Sequence, residues 1–116
     1  MSVRNSFTLL LLLLVSNQLL ADYKADIGHT RLLNELGAST PNGAGVQVAQ
    51  SEADTDGVAG SPFAALPDAS DSRFTGKTII NVTPGNNTVS GHATGVGALF
   101  YGNTGIAGGI TLIDAH

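Results

Sequence analysis

A chain of 116 residues with a formal net charge of -4 is one small domain or a part of a larger one. Five Lys/Arg against nine Asp/Glu exclude the electrostatic footprint of a nucleic-acid binder. With no cysteine there is no disulfide staple, so a small exported domain needs metal, a partner or more chain for its stability.

Residues 1–21 read as an export signal. Arg4 gives a basic start, residues 7–15 are apolar apart from Thr8, and Leu19-Leu20-Ala21 ends on a small residue. Ser16-Asn17-Gln18 interrupts the apolar run well before the roughly 20 residues of a membrane span. Cleavage is expected after Ala21. That leaves residues 22–116 with four Lys/Arg against nine acids, a net charge of -5, located outside the cell or in a periplasm and free of the membrane. The short gap between Ala21 and the first predicted helix leaves no room for a propeptide.

That helix spans residues 26–36, with Asp26 as its cap and Ile27, Leu32, Leu33 and Leu36 as an apolar stripe. His29 is expected as an exposed residue on it, and Gly37 as its stop. Residues 39–45 form a loop around Pro41, Asn42 and Gly43. Residues 46–50 form a first strand, with Ser51 and Glu52 at its C-terminal end. Residues 54–72, with Gly57, Gly60, Pro62 and Pro67, read as a long loop, a feature often tied to function. Residues 77–82 form a second strand and residues 84–87 a turn. Asn81-Val82-Thr83 and Asn86-Asn87-Thr88 are glycosylation-type triplets that matter only in a eukaryotic secretory path, and Pro84 disfavours the first.

Residues 91–100 form a helix rich in small residues. Gly95 and Gly97 each cost about 1 kcal/mol there against Ala, which close packing on a sheet would offset. A turn at 102–105 and a third strand at 110–113 follow. Alternating strand and helix predict an α/β fold built on a partial parallel sheet flanked by helices.

The segment Gly43-Ala44-Gly45-Val46-Gln47-Val48-Ala49-Gln50-Ser51-Glu52 is similar to the subtilase pattern Gly-x-Gly-Val-x-Val-Ala-x-x-Asp. Gly91-His92-Ala93-Thr94-Gly95-Val96-Gly97 resembles the family's His-Gly-Thr-His-Val-Ala box. Gly105-Ile106-Ala107-Gly108-Gly109-Ile110-Thr111-Leu112 resembles its Gly-x-Ala-Pro-x-Ala-x-Leu segment. Pro67-Asp68 and Phe74-Thr75-Gly76-Lys77 match the loop and strand between the boxes, and the resemblance covers residues 26–113.

The resemblance implies a subtilisin-like but incomplete fold and a serine-type endopeptidase acting on polypeptides. His92 would take the proton of a serine hydroxyl, and Glu52 would fix its tautomer and stabilise the imidazolium. Glu52 stands where the family has Asp, and its extra methylene calls for a compensating shift. Gly95 stands at the second His of the box and Ala93 at its Gly. The Gly-Thr-Ser-Met-Ala-like segment that carries the family's nucleophile does not occur in the 116 residues, nor does the oxyanion-hole Asn, and Ser90 is misplaced for the role. The expectation is a peptidase fragment holding acid and base, inactive alone. The alternative is a non-catalytic secreted α/β binding or structural module.

No cofactor is expected. Glu52-Ala53-Asp54-Thr55-Asp56-Gly57 resembles the start of a calcium loop, but its distal Glu would fall at Phe63. Asp114 and His116 are two ligands at a terminus, too few for a metal site. No Gly-rich phosphate loop is present. Three parallel strands with at most two helices leave sheet edges and apolar faces uncovered, so poor solubility is expected of the chain by itself.

Overall fold

The structure, a computed structural model, describes residues 22–53, 64–83 and 88–116. The expected export signal, most of the calcium-like run including Phe63, the turn at 84–87 and the start of the second glycosylation triplet lie outside the described residues. The chain divides into two compact units, Met1–Ala38 and Ser39–His116.

In the first unit, Asp22 caps α1 (Tyr23–Asp26), its carboxylate accepting the Lys24 N–H at 3.1 Å. Gly28, with φ 79°, then precedes α2 (His29–Leu36). The single helix expected over 26–36 is therefore two. Left-handed backbone at Gly28 breaks the helical path, and a residue without Cβ adopts it without penalty. Asp26 closes α1 and caps nothing. Gly37 ends α2 as expected, its N–H donating to the Leu33 carbonyl. Arg31 and Glu35 pair at 2.7 Å across one turn. His29 departs from expectation: it is half-buried, and its Nδ1 is buried with no hydrogen-bond partner among the described residues.

The second unit holds β1 (Gln47–Gln50), β2 (Ala64–Leu66), β3 (Thr78–Asn81), β4 (Thr88–Val89), α3 (Gly91–Phe100) and β5 (Leu112–Ala115). Among the described residues β1, β5 and β3 form a parallel sheet in that order, and β2 pairs with β4 in a second parallel pair. The fold is thus mixed α/β with a small parallel three-stranded sheet. The central strand lies two residues further along than expected. Ile110 packs in the core ahead of it, and pairing runs on through Asp114 and Ala115 to the His116 N–H, which donates to the Gln50 carbonyl at 2.9 Å. Ile113, opposite Val48 on one side and Ile79 on the other, is fully buried. β2 falls in the segment read as a long loop, and β4 in residues between the expected turn and helix, for which the sequence predicts no element. Runs of three and two residues carry no period, and they become strands only through each other.

The core gathers Phe74, Ala98, Tyr101, Ile110 and Ile113, with Val48, Ile79 and Ala107 packed against it. The Phe74 and Tyr101 rings lie 5.3 Å apart, within the range of favourable aromatic pairs. Phe74 ends a short 3-10 turn, Ser72–Phe74, capped by Asp71. The Arg73 side chain and backbone N–H both bond Asp71 and hold its carboxyl down at about 2. The Lys77 ammonium donates to the carbonyls of Gly108 and Ile110 at 2.8 and 2.7 Å, fixing the loop that leads into β5. Val46, Ile80, Val82, Val96, Leu99 and Phe100 remain exposed.

The two helix glycines differ. A Cβ on Gly97 would meet the Tyr101 hydroxyl oxygen at 2.5 Å and the Gln50 side-chain oxygen at 3.1 Å, whereas one on Gly95 would meet nothing within 4 Å. Close packing therefore accounts for Gly97 and not for Gly95. Gly97→Ala is expected to lower the unfolding free energy by about 1–3 kcal/mol through overpacking, and Gly95→Ala to raise it by about 0.5–1 kcal/mol through helix propensity. Urea denaturation of both variants checks this, and changes of the same sign would contradict it.

Candidate active site

Side chains alternate along a strand, so Val48 and Gln50 leave β1 on one face. Val48 packs on the core and Gln50 is buried at its edge, 8 % exposed. Two residues on, Glu52 sits just past the carboxyl end of β1. His92 is the second residue of α3, whose first turn is pinned from several directions. The Ser90 N–H donates to the Leu66 carbonyl at 2.8 Å, and the Ser90 hydroxyl oxygen accepts the Ala93 N–H at 3.3 Å. The Thr94 hydroxyl donates to the Ser90 carbonyl and accepts the Asp68 N–H at 2.9 Å. The β2 segment thus sets where the helix begins.

These constraints bring Glu52 and His92, forty positions apart in the chain, to 3.3 Å between Oε2 and Nε2. The Glu52 side chain is mostly covered, 16 % exposed, while that of His92 is 57 % exposed. Glu52 has a second contact: the Gln50 amide nitrogen donates to Glu52 Oε1 at 3.0 Å. The same nitrogen donates to the Ala93 carbonyl at 2.9 Å, and the Gln50 amide oxygen accepts from the Tyr101 hydroxyl. Burial pushes the Tyr101 hydroxyl up to about 12, with the negative charge of Glu52 adding to the effect.

The sequence reading did not single out Gln50 or Tyr101. The available signal was alternation: a polar residue two positions after an inward-facing Val, at the end of a strand, must find partners indoors.

The nitrogen that faces the carboxylate is Nε2. In a serine-peptidase triad the acid bonds Nδ1 and leaves Nε2 for the hydroxyl. The observed contact through Nε2 therefore differs from the orientation of such a triad. A cavity of about 220 Å³ adjoins Glu52, lined by Gln50, Glu52, Val96, Phe100 and Tyr101 among others. It is below the usual size of a small-molecule site.

The other candidates are engaged elsewhere. Asp114 accepts from the Gln47 amide at 2.9 Å, and the His116 backbone belongs to the sheet ladder. Among the described residues no group of three His, Cys, Asp or Glu side chains could hold a metal ion, and no helix among them is long and apolar enough to cross a membrane. The Ser90 hydroxyl serves as a helix cap.

No protein-family model matches the chain, and neither the curated proteins nor the solved structures compared with it give a match.

The charge of Glu52 contributes to the raised titration of Tyr101, so Glu52→Gln should bring the phenol below about 12 while burial still keeps it above the ordinary value of 10. Absorbance of the phenolate in a Tyr23→Phe background isolates Tyr101. The sign follows from linkage: a raised phenol stabilises the fold fully below pH 10, and that contribution is lost as pH rises through about 12. An unchanged midpoint in Glu52→Gln would contradict the proximity of the two groups.

Proposed function

We propose that Glu52 and His92 are the orienting acid and general base of an exported serine-type peptidase of the subtilisin kind, with the nucleophilic serine supplied by chain beyond these 116 residues. The observation that supports this reading is the 3.3 Å approach of carboxylate and imidazole. It occurs at the carboxyl end of a parallel strand, where open α/β sheets place their ligands.

In that role His92 takes the serine proton at Nε2 as the hydroxyl attacks the peptide carbonyl. It then returns the proton to the leaving amine. Glu52 accepts the Nδ1–H and stabilises the imidazolium between the two transfers. The ring must turn about its side-chain torsions to present Nδ1 to the carboxylate, and its exposure leaves room for that. The substrate is a polypeptide, and the chemistry calls for no cofactor. By this reading the acid and base alone provide no acyl-enzyme route.

One observation favours a second reading, a non-catalytic secreted binding or structural module. The contact through Nε2 is what a plain ion pair between a strand end and a helix start would make.

Kinetics of the gene product that includes whatever follows His116 separate the two. The peptidase reading expects a Gly-Thr-Ser segment in frame and proteolysis by the intact protein. It also expects kcat losses of about 10⁴-fold or more in Glu52→Gln and His92→Ala, with KM little changed. A product with no such serine, or proteolysis indifferent to both substitutions, would favour the module.

A further inference from the structure

We infer that Gln50 is the positioning residue of the Glu52–His92 pair: its amide N–H fixes one carboxylate oxygen so that the other faces the imidazole. The inference rests on the reading of that pair as acid and base. Gln50 is buried, so its amide cannot trade these partners for bulk water. Its nitrogen has two hydrogens, and both are used. One goes to Glu52 Oε1 and the other to the carbonyl of Ala93, the residue next to His92. A single planar amide thus sets the spacing between the carboxylate and the helix turn that carries the ring.

The orientation of that amide is determined as well. A flipped amide would aim its oxygen at the Glu52 carboxylate and the Ala93 carbonyl, both acceptors. In the observed orientation the oxygen receives the Tyr101 hydroxyl instead. Tyr101 is 1 % exposed and its ring packs at a tilt against Phe74, so its hydroxyl is a fixed donor. The missing side chain of Gly97 leaves the space in which hydroxyl and amide meet.

A carboxylate held against one ring nitrogen selects the tautomer protonated there, whichever nitrogen that is. The ¹⁵N shifts of the His92 ring in the full chain, recorded at alkaline pH where imidazole is neutral, report the ratio of tautomers, and the exposed His116 serves as the internal reference. Glu52→Gln is expected to relax the His92 ratio toward that of free histidine by roughly three- to tenfold. Gln50→Met is expected to do the same although it leaves the carboxylate in place, and to add nothing in the Glu52→Gln background. A merely structural role for Gln50 would lower stability and leave the ratio untouched. If Gln50→Met fails to fold, Tyr101→Phe decides the matter in its stead, since it keeps the aromatic packing and removes only the donor that orients the amide. A ratio that moves in Glu52→Gln but not in the deciding Gln50 or Tyr101 variant overturns the inference alone. A ratio that does not move in Glu52→Gln overturns the acid–base reading with it.

Discussion

The buried Gln50 amide is the joint on which the second unit turns. It touches the tip of β1 through Glu52, the first turn of α3 through Ala93 and the core through Tyr101. A buried amide left without partners costs about 1–3 kcal/mol, so the three elements are held to the geometry that satisfies it. The same bonds leave Glu52 with one free oxygen, and that oxygen faces His92. Fold and site therefore share one set of hydrogen bonds.

Among the described residues five buried side chains form the main cluster, and β1 and β3 flank β5 in the three-stranded sheet. Directional polar contacts carry much of the specification: Lys77 on two carbonyls before β5, Thr94 between Ser90 and Asp68, and Gln50 between strand and helix. The exposed apolar residues on β3 and α3, among them Ile80, Leu99 and Phe100, remain as surface. Such a unit is sensitive to lost polar partners in a way that a large hydrophobic core is not.

The sequence made some of this legible, for physical reasons that can be named. Residues 91–100 form the helix as read, with Ser90 as a strong cap, although Gly95 and Gly97 disfavour it by propensity. β1 and β3 fall within a residue of expectation because each is short, β-branched or alternating, and bounded by glycine or a turn. Gly28 was visible and its effect was missed: the apolar stripe of residues 27–36 outweighed a single breaker. β5 slid by two residues because Ile110 is apolar for the core and not for the sheet. β2 and β4 have no local signature, since their pairing is wholly tertiary. Glu52 and His92 stood out through the resemblance of their segments to the subtilase motifs. Gln50 and Tyr101 did not, because a buried amide and a buried phenol declare themselves only once their partners are in space.

The proximity of Glu52 and His92 can be read as an energy. In a double-mutant cycle on unfolding free energy, Glu52→Gln and His92→Ala should couple. The expected coupling is about 0.3–1 kcal/mol, typical of a partly exposed pair. Strict additivity would mean that the two side chains do not meet.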